Sequence, residues 1–100
     1  MSPPLEPAGA VLAQIVADLL RGTSPEDAPV FAWPVICGST VAARTRPLLF
    51  AGGMLRVGVP DAGWRTQLSE LESRYVQQFN QLLGAGRVRR VEFVVLPPSP

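Results

Sequence analysis

The sequence predicts an α+β domain whose elements run α-α-β-β-α-β, with a three-stranded sheet and a long helix packed on one of its faces. Three observations carry this. Apolar residues near the start recur at helical spacing, and Gly52-Gly53 separates two short runs as a hairpin turn does. A long helical stripe then closes at Gly84 and is followed by an alternating apolar run.

Residues 1–7, MSPPLEP, are proline-rich and read as a frayed lead-in. Leu12, Ile15, Val16, Leu19 and Leu20 then form one stripe of an amphipathic helix over residues 8–21, with Gly22 where a C-terminal cap belongs. In TSPED, Ser24 is placed to cap a second helix, with Pro25 at its first position and acids in its first turn. That helix carries Val30, Trp33, Ile36, Cys37 and Val41 towards Arg44. Pro34 interrupts it, so the helix either kinks there or has its regular part begin there, because a mid-helix proline costs about 3 kcal/mol.

Gly52-Gly53 supplies the two positive φ angles of a type I′ turn. The register places Phe50 opposite Leu55 and Leu48 opposite Val57, so that these and Val59 share one face. Leu49, Met54 and Arg56 take the other face, joined there by Arg90, Glu92 and Val94. Pro60 stops the second strand and Asp61 caps a helix of about 34 Å, long enough to cover the sheet. Its core stripe is Trp64, Leu68, Leu71, Tyr75, Phe79 and Leu82. In the last strand, RVRRVEFVVL, residues Val91, Phe93 and Val95 point inward, and residues 97–100 form a proline-rich end.

One hundred residues, 47% hydrophobic and 17% charged, suit one globular domain with a single core. With a single cysteine there is no intrachain disulfide, and a cytoplasmic setting is expected. No basic residue precedes the first apolar stretch, which Gln14 and Asp18 interrupt; neither a signal peptide nor a membrane span is expected.

The chain has no histidine and one cysteine, so no His-assisted nucleophile and no zinc cluster is expected, nor any cofactor or other metal. Cys37 lies in an apolar helical run and reads as an inert thiol. Glu70 and Glu72 are two apart on a helix and diverge, whereas Glu70 stands four before Arg74 as a surface ion pair would. The protein is not expected to be an enzyme.

Charge is divided unevenly. Residues 1–43 hold one arginine against four acids, and residues 44–100 hold eight arginines against four. All nine cations are arginine, whose planar fork suits bidentate phosphate or carboxylate contacts. An anion-facing surface is therefore expected among Arg44, Arg46, Arg56, Arg65, Arg87, Arg89 and Arg90. The bland alternatives are a pair between Arg65 and Asp61, and a solvated strand edge at Arg87, Arg89 and Arg90. Trp33 reads as core, while Trp64 in the first turn of its helix leaves a ring edge for a partner, beside Arg65.

The pattern W-x-x-I-C-G-x-x-V-A-x-x-T-x-P from Trp33 to Pro47 is followed by G-x-L-x-V-x-V from Gly53 to Val59. W-x-x-x-L from Trp64 to Leu68 and R-V-E-F from Arg90 to Phe93 complete a series that resembles the DciA-like family of bacterial helicase loaders or operators. The resemblance implies a single KH-like domain over residues 8–96. It implies an adaptor for the replicative DNA helicase that binds DNA, single- or double-stranded, weakly and without sequence specificity. Partner contacts are expected at Trp64, Arg65, Leu49 and Met54, and a weak homodimer is compatible with such a surface. No G-x-x-G loop joins two helices here; GAGR precedes a strand instead, which argues against strong specific nucleic-acid binding. A KH-like module for RNA or single strands, and a purely structural dimerising domain, are the alternatives.

Overall fold

The computed structural model describes Ser24 and residues 26–97. The expected lead-in, the helix over residues 8–21, Pro25 and residues 98–100 lie outside the described residues. Within them the order is α1 (Ala28–Cys37), α2 (Ser39–Ala42), β1 (Arg46–Ala51), β2 (Met54–Val59), α3 (Ala62–Ser69), α4 (Glu72–Leu83) and β3 (Arg90–Val95). The sheet is mixed, β1-β2-β3, with β1 antiparallel and β3 parallel to β2.

The expected Ser24 cap is not what starts α1. The Ser24 carbonyl instead accepts the Asp27 and Ala28 N–H groups at 2.9 and 3.1 Å, a turn that delays the helix to Ala28. Pro29 then occupies the first turn, where its missing donor has no helical partner to lose. Nor does the regular helix start at Pro34, which lies inside α1. The break comes at Gly38, whose φ of +85° is in the left-handed region that favours glycine, and whose N–H bonds the Pro34 carbonyl at 3.0 Å.

The hairpin turns on Gly52 and Gly53 at φ +60° and +80°, and Phe50 faces Leu55 as expected. Leu48 does not face Val57. Pro47 takes that place, the register shifts between Pro47 and Leu49, and Leu48 is 40% exposed. A proline cannot donate to a ladder, and a shift beside it on an edge strand accommodates the lost bond. Beyond the shift the faces are as expected: Leu55, Val57 and Val59 are buried, whereas Leu49 is exposed and Met54 and Arg56 are half-buried.

The expected single long helix is two. No proline or glycine marks the break at Glu70-Leu71, where the Leu71 N–H reaches back only three residues to the Leu68 carbonyl, at 3.0 Å. The division lets α3 lie against β2 and β3 while α4 packs on α1 and β3. It also places Glu70 at the end of α3 and Arg74 in α4, and their expected ion pair does not form. The stripe survives the break, with Leu68, Tyr75 and Phe79 buried and Trp64, Leu71 and Leu82 packed against them.

Trp33 is the centre of the core. It is fully buried, with the Tyr75 ring edge-on at 5.1 Å and the Phe93 and Phe79 rings at 6.0 and 6.2 Å. Asn80 fastens the chain before β3 by donating to the Val88 carbonyl and accepting the Val88 N–H, both at 2.9 Å. Val91 and Phe93 point inward as expected, but Val95 is 41% exposed. It is the final residue of an edge strand.

Candidate nucleic-acid and partner surfaces

The seven arginines expected to face an anion do not form one surface. Met54 pairs with Arg90 and Gly58 with Arg46, so the two basic ends of the sheet are roughly 13 Å apart along β2. Arg87, Arg89 and Arg90 belong to the hairpin end. Arg44 and Arg46 belong to the other.

At the hairpin end the guanidinium groups are engaged within the molecule. Arg90 Nε donates to Glu72 Oε2 at 3.2 Å, and the same oxygen accepts the Val91 N–H at 3.0 Å. Glu72 opens α4, where the helix dipole favours its negative charge. Arg89 Nη2 donates to the Gly52 carbonyl at 3.1 Å and its backbone N–H to the Gly53 carbonyl at 2.7 Å. Its side chain lies over Gly53 so closely that a Cβ there would stand 2.6 Å from Nε. Arg87 Nη1 reaches the Leu83 carbonyl at 3.5 Å, near the C-terminal end of α4. On the open sheet face, Arg56 Nε donates to Glu92 Oε1 at 2.9 Å across directly paired strand positions. Sequence spacing does not carry this last pair, because the two residues are 36 apart.

Arg44, Arg46 and Arg65 are exposed and have no carboxylate partner among the described residues. The alternative reading of Arg65, a pair with Asp61, does not form. The Asp61 carboxylate accepts the Trp64 N–H at 2.9 Å instead, capping α3. Arg44 and Arg46 line a groove of about 600 Å³ with Thr45, Gly58, Pro60 and Leu96, and among the described residues no acid lines it.

The four residues expected to meet a protein partner are likewise divided. Trp64 is half-buried against the core with Arg65 exposed beside it, whereas Leu49, 53% exposed, and Met54 lie on the other face of the sheet. Sequence reasoning missed two further exposed apolar residues, Phe31 at 64% and Val35 at 46%. Both fall off the stripe of Val30, Trp33, Cys37 and Val41, which was the available signal. It also missed Thr45, whose hydroxyl accepts the Trp33 indole N–H at 2.9 Å and donates to the Val41 carbonyl at 2.8 Å.

Cys37 is half-buried, and that burial pushes its thiol up to about 11, slightly offset by a backbone hydrogen bond. A neutral thiol of this kind is a poor nucleophile. Burial raises the Tyr75 phenol as well. Among the described residues no group of three or more His, Cys, Asp or Glu is placed to hold a metal ion, and no helix is long and apolar enough to cross a membrane.

No curated protein matches the chain. The family described as "Dna[CI] antecedent, DciA" matches residues 7–93, which takes in every helix and the hairpin described above and most of β3. The chain belongs to the DciA family.

Proposed function

We propose that this protein is a cytoplasmic, non-enzymatic adaptor that contacts the replicative DNA helicase and binds DNA weakly, supporting initiation of DNA replication. The observation that carries the reading is the family match over residues 7–93. The divided arginines support the word weakly: of the seven expected contacts, four are held by carboxylates or carbonyls of the chain itself. Residues 8–96 are taken as one KH-like domain, with β2-α3-α4-β3 as its helix-pair unit. Ser69-Glu70-Leu71-Glu72 stands at the helix junction, with two carboxylates and no glycine loop. That composition repels phosphate and supports sequence-tolerant contact elsewhere. Helicase contact is assigned to the open sheet face with Leu49 and Met54, and a second contact to Trp64 and Arg65 at the start of α3.

Two measurements test the proposal together. The purified protein should co-elute with the replicative helicase of the same bacterium. It should also bind labelled DNA with micromolar or weaker affinity that falls as salt rises. Failure to co-elute at micromolar concentrations refutes the adaptor role. Tight binding to one RNA sequence, with no helicase contact, favours the RNA-binding alternative.

A further inference from the structure

We propose that the phosphate-contacting element of this protein is the pair Arg44 and Arg46, held apart by Thr45 at the mouth of the groove by Gly58, rather than the arginine run before β3. The inference rests on the nucleic-acid half of the function proposed above and locates it. Its ligand is the phosphodiester backbone of a nucleic-acid strand.

Three observations lead there. The first is the state of the guanidinium groups. For Arg87, Arg89 or Arg90 to grip a phosphate, each must give up or share a contact that fastens the hairpin end: the Leu83 carbonyl, the Gly52 carbonyl, or the Glu72 carboxylate. Glu72 would also remain beside the bound phosphate as a like charge. Arg44 and Arg46 have nothing of this kind to break among the described residues. Arg65 likewise has no carboxylate partner among the described residues, but it does not line the groove.

The second observation is how the pair is held. Thr45 is tied inward at both of its hydroxyl's functions, to the buried Trp33 indole at 2.9 Å and to the Val41 carbonyl at 2.8 Å. Both flanking arginines are exposed. Two residues of chain separate their Cα atoms by no more than about 7 Å. The long forks can therefore engage neighbouring phosphates from a backbone that is already ordered, and only side-chain freedom is lost on binding.

The third is what surrounds them. The groove is walled by Gly58, Val59, Pro60, Leu96 and Pro97, without a carboxylate among the described residues. The nearest acid in sequence, Asp61, has an oxygen committed to the Trp64 N–H. Another groove of comparable size, about 530 Å³ between the start of α1 and β1, is lined among the described residues by Glu26 and Asp27 and by no arginine, and would repel the same ligand. The two grooves thus present opposite charge.

The test compares two double variants that remove equal charge, Arg44→Ala/Arg46→Ala and Arg87→Ala/Arg89→Ala, with the parent chain. Affinity for a labelled oligothymidylate is read by fluorescence anisotropy between about 50 and 200 mM salt. Two phosphate contacts on a single strand contribute a slope of about −1.4, at about −0.7 each, so parent affinity should fall at least about sevenfold across that range. Arg44→Ala/Arg46→Ala should flatten the slope by about 1.4. Arg87→Ala/Arg89→Ala should leave it unchanged. Thermal melting of each variant establishes that it is folded, and a variant that is not is replaced by the corresponding Gln pair. Equal losses from both variants, or a larger loss from the second, overturn the assignment while leaving DNA binding standing. A parent chain that binds no oligonucleotide overturns the nucleic-acid half of the function itself, and this inference with it.

Discussion

Thr45→Val removes a single hydroxyl while preserving side-chain shape, and the structure gives that hydroxyl two tasks. The Trp33 indole N–H would lose its acceptor, although Trp33 is fully buried, and the Val41 carbonyl would lose a donor. A buried donor left unmade costs about 1–3 kcal/mol, more than the roughly 1 kcal/mol that a typical intramolecular hydrogen bond contributes net. A loss of about 2 kcal/mol corresponds to a melting temperature lower by roughly 8–16 °C for a domain of this size. Far-UV circular dichroism during heating measures it, with urea titration to check that the transition stays cooperative. Thr45→Ser keeps the hydroxyl and should lose less than half as much. In a Trp33→Phe background the indole donor is already gone, so Thr45→Val should do markedly less harm there. A variant within about 0.5 kcal/mol of the parent, or an equal loss in both backgrounds, would refute the argument.

Asp61→Ala should destabilise the protein by about 1 kcal/mol through loss of the cap on the Trp64 N–H, and Asp61→Asn should recover most of it; urea midpoints distinguish the two. Gly58→Ala would drive a Cβ into Leu96 Cδ1, so Leu96 must move, at an expected loss of about 1–3 kcal/mol. That loss should shrink when Leu96→Ala is made first, and an undiminished loss would point to the backbone instead. The Cys37 thiol, raised to about 11 from an ordinary 9.0, ionises more readily in the unfolded chain than in the folded one. Stability should therefore be intact below about pH 9 and decline as pH rises towards 11, with Tyr75 acting in the same direction. Cys37→Ala should make that alkaline decline shallower, and an unchanged decline in urea midpoints would count against the assignment. Iodoacetamide should label native Cys37 slowly at pH 8 and rapidly only after unfolding.

The parts of this protein that were legible in its sequence are those in which a residue's own chemistry dictates local geometry. Gly52-Gly53 makes a tight turn because glycine adopts positive φ without strain, and that turn sets Phe50 opposite Leu55. Asp61 after Pro60 caps a helix because a short carboxylate reaches an N–H three residues on. The stripe from Leu68 through Tyr75 to Phe79 identifies the buried side, since helical periodicity is a property of the backbone. What tertiary structure alone decided involves partners distant in the chain. Glu70-Leu71 breaks a helix without proline or glycine, where α3 lies against β2 and β3 and α4 packs on α1 and β3. Leu48 is turned out by a register shift that depends on β2 and on its neighbouring proline. The arginines show the difference most plainly. Their number and type are sequence properties, but whether a guanidinium is available depends on which carboxylate or carbonyl the fold brings within about 3 Å of it. Glu92 reaches Arg56 because β3 lies parallel beside β2, and Glu72 reaches Arg90 because α4 packs on β3, while Arg44 and Arg46, at the other end of that sheet, meet no such acid among the described residues.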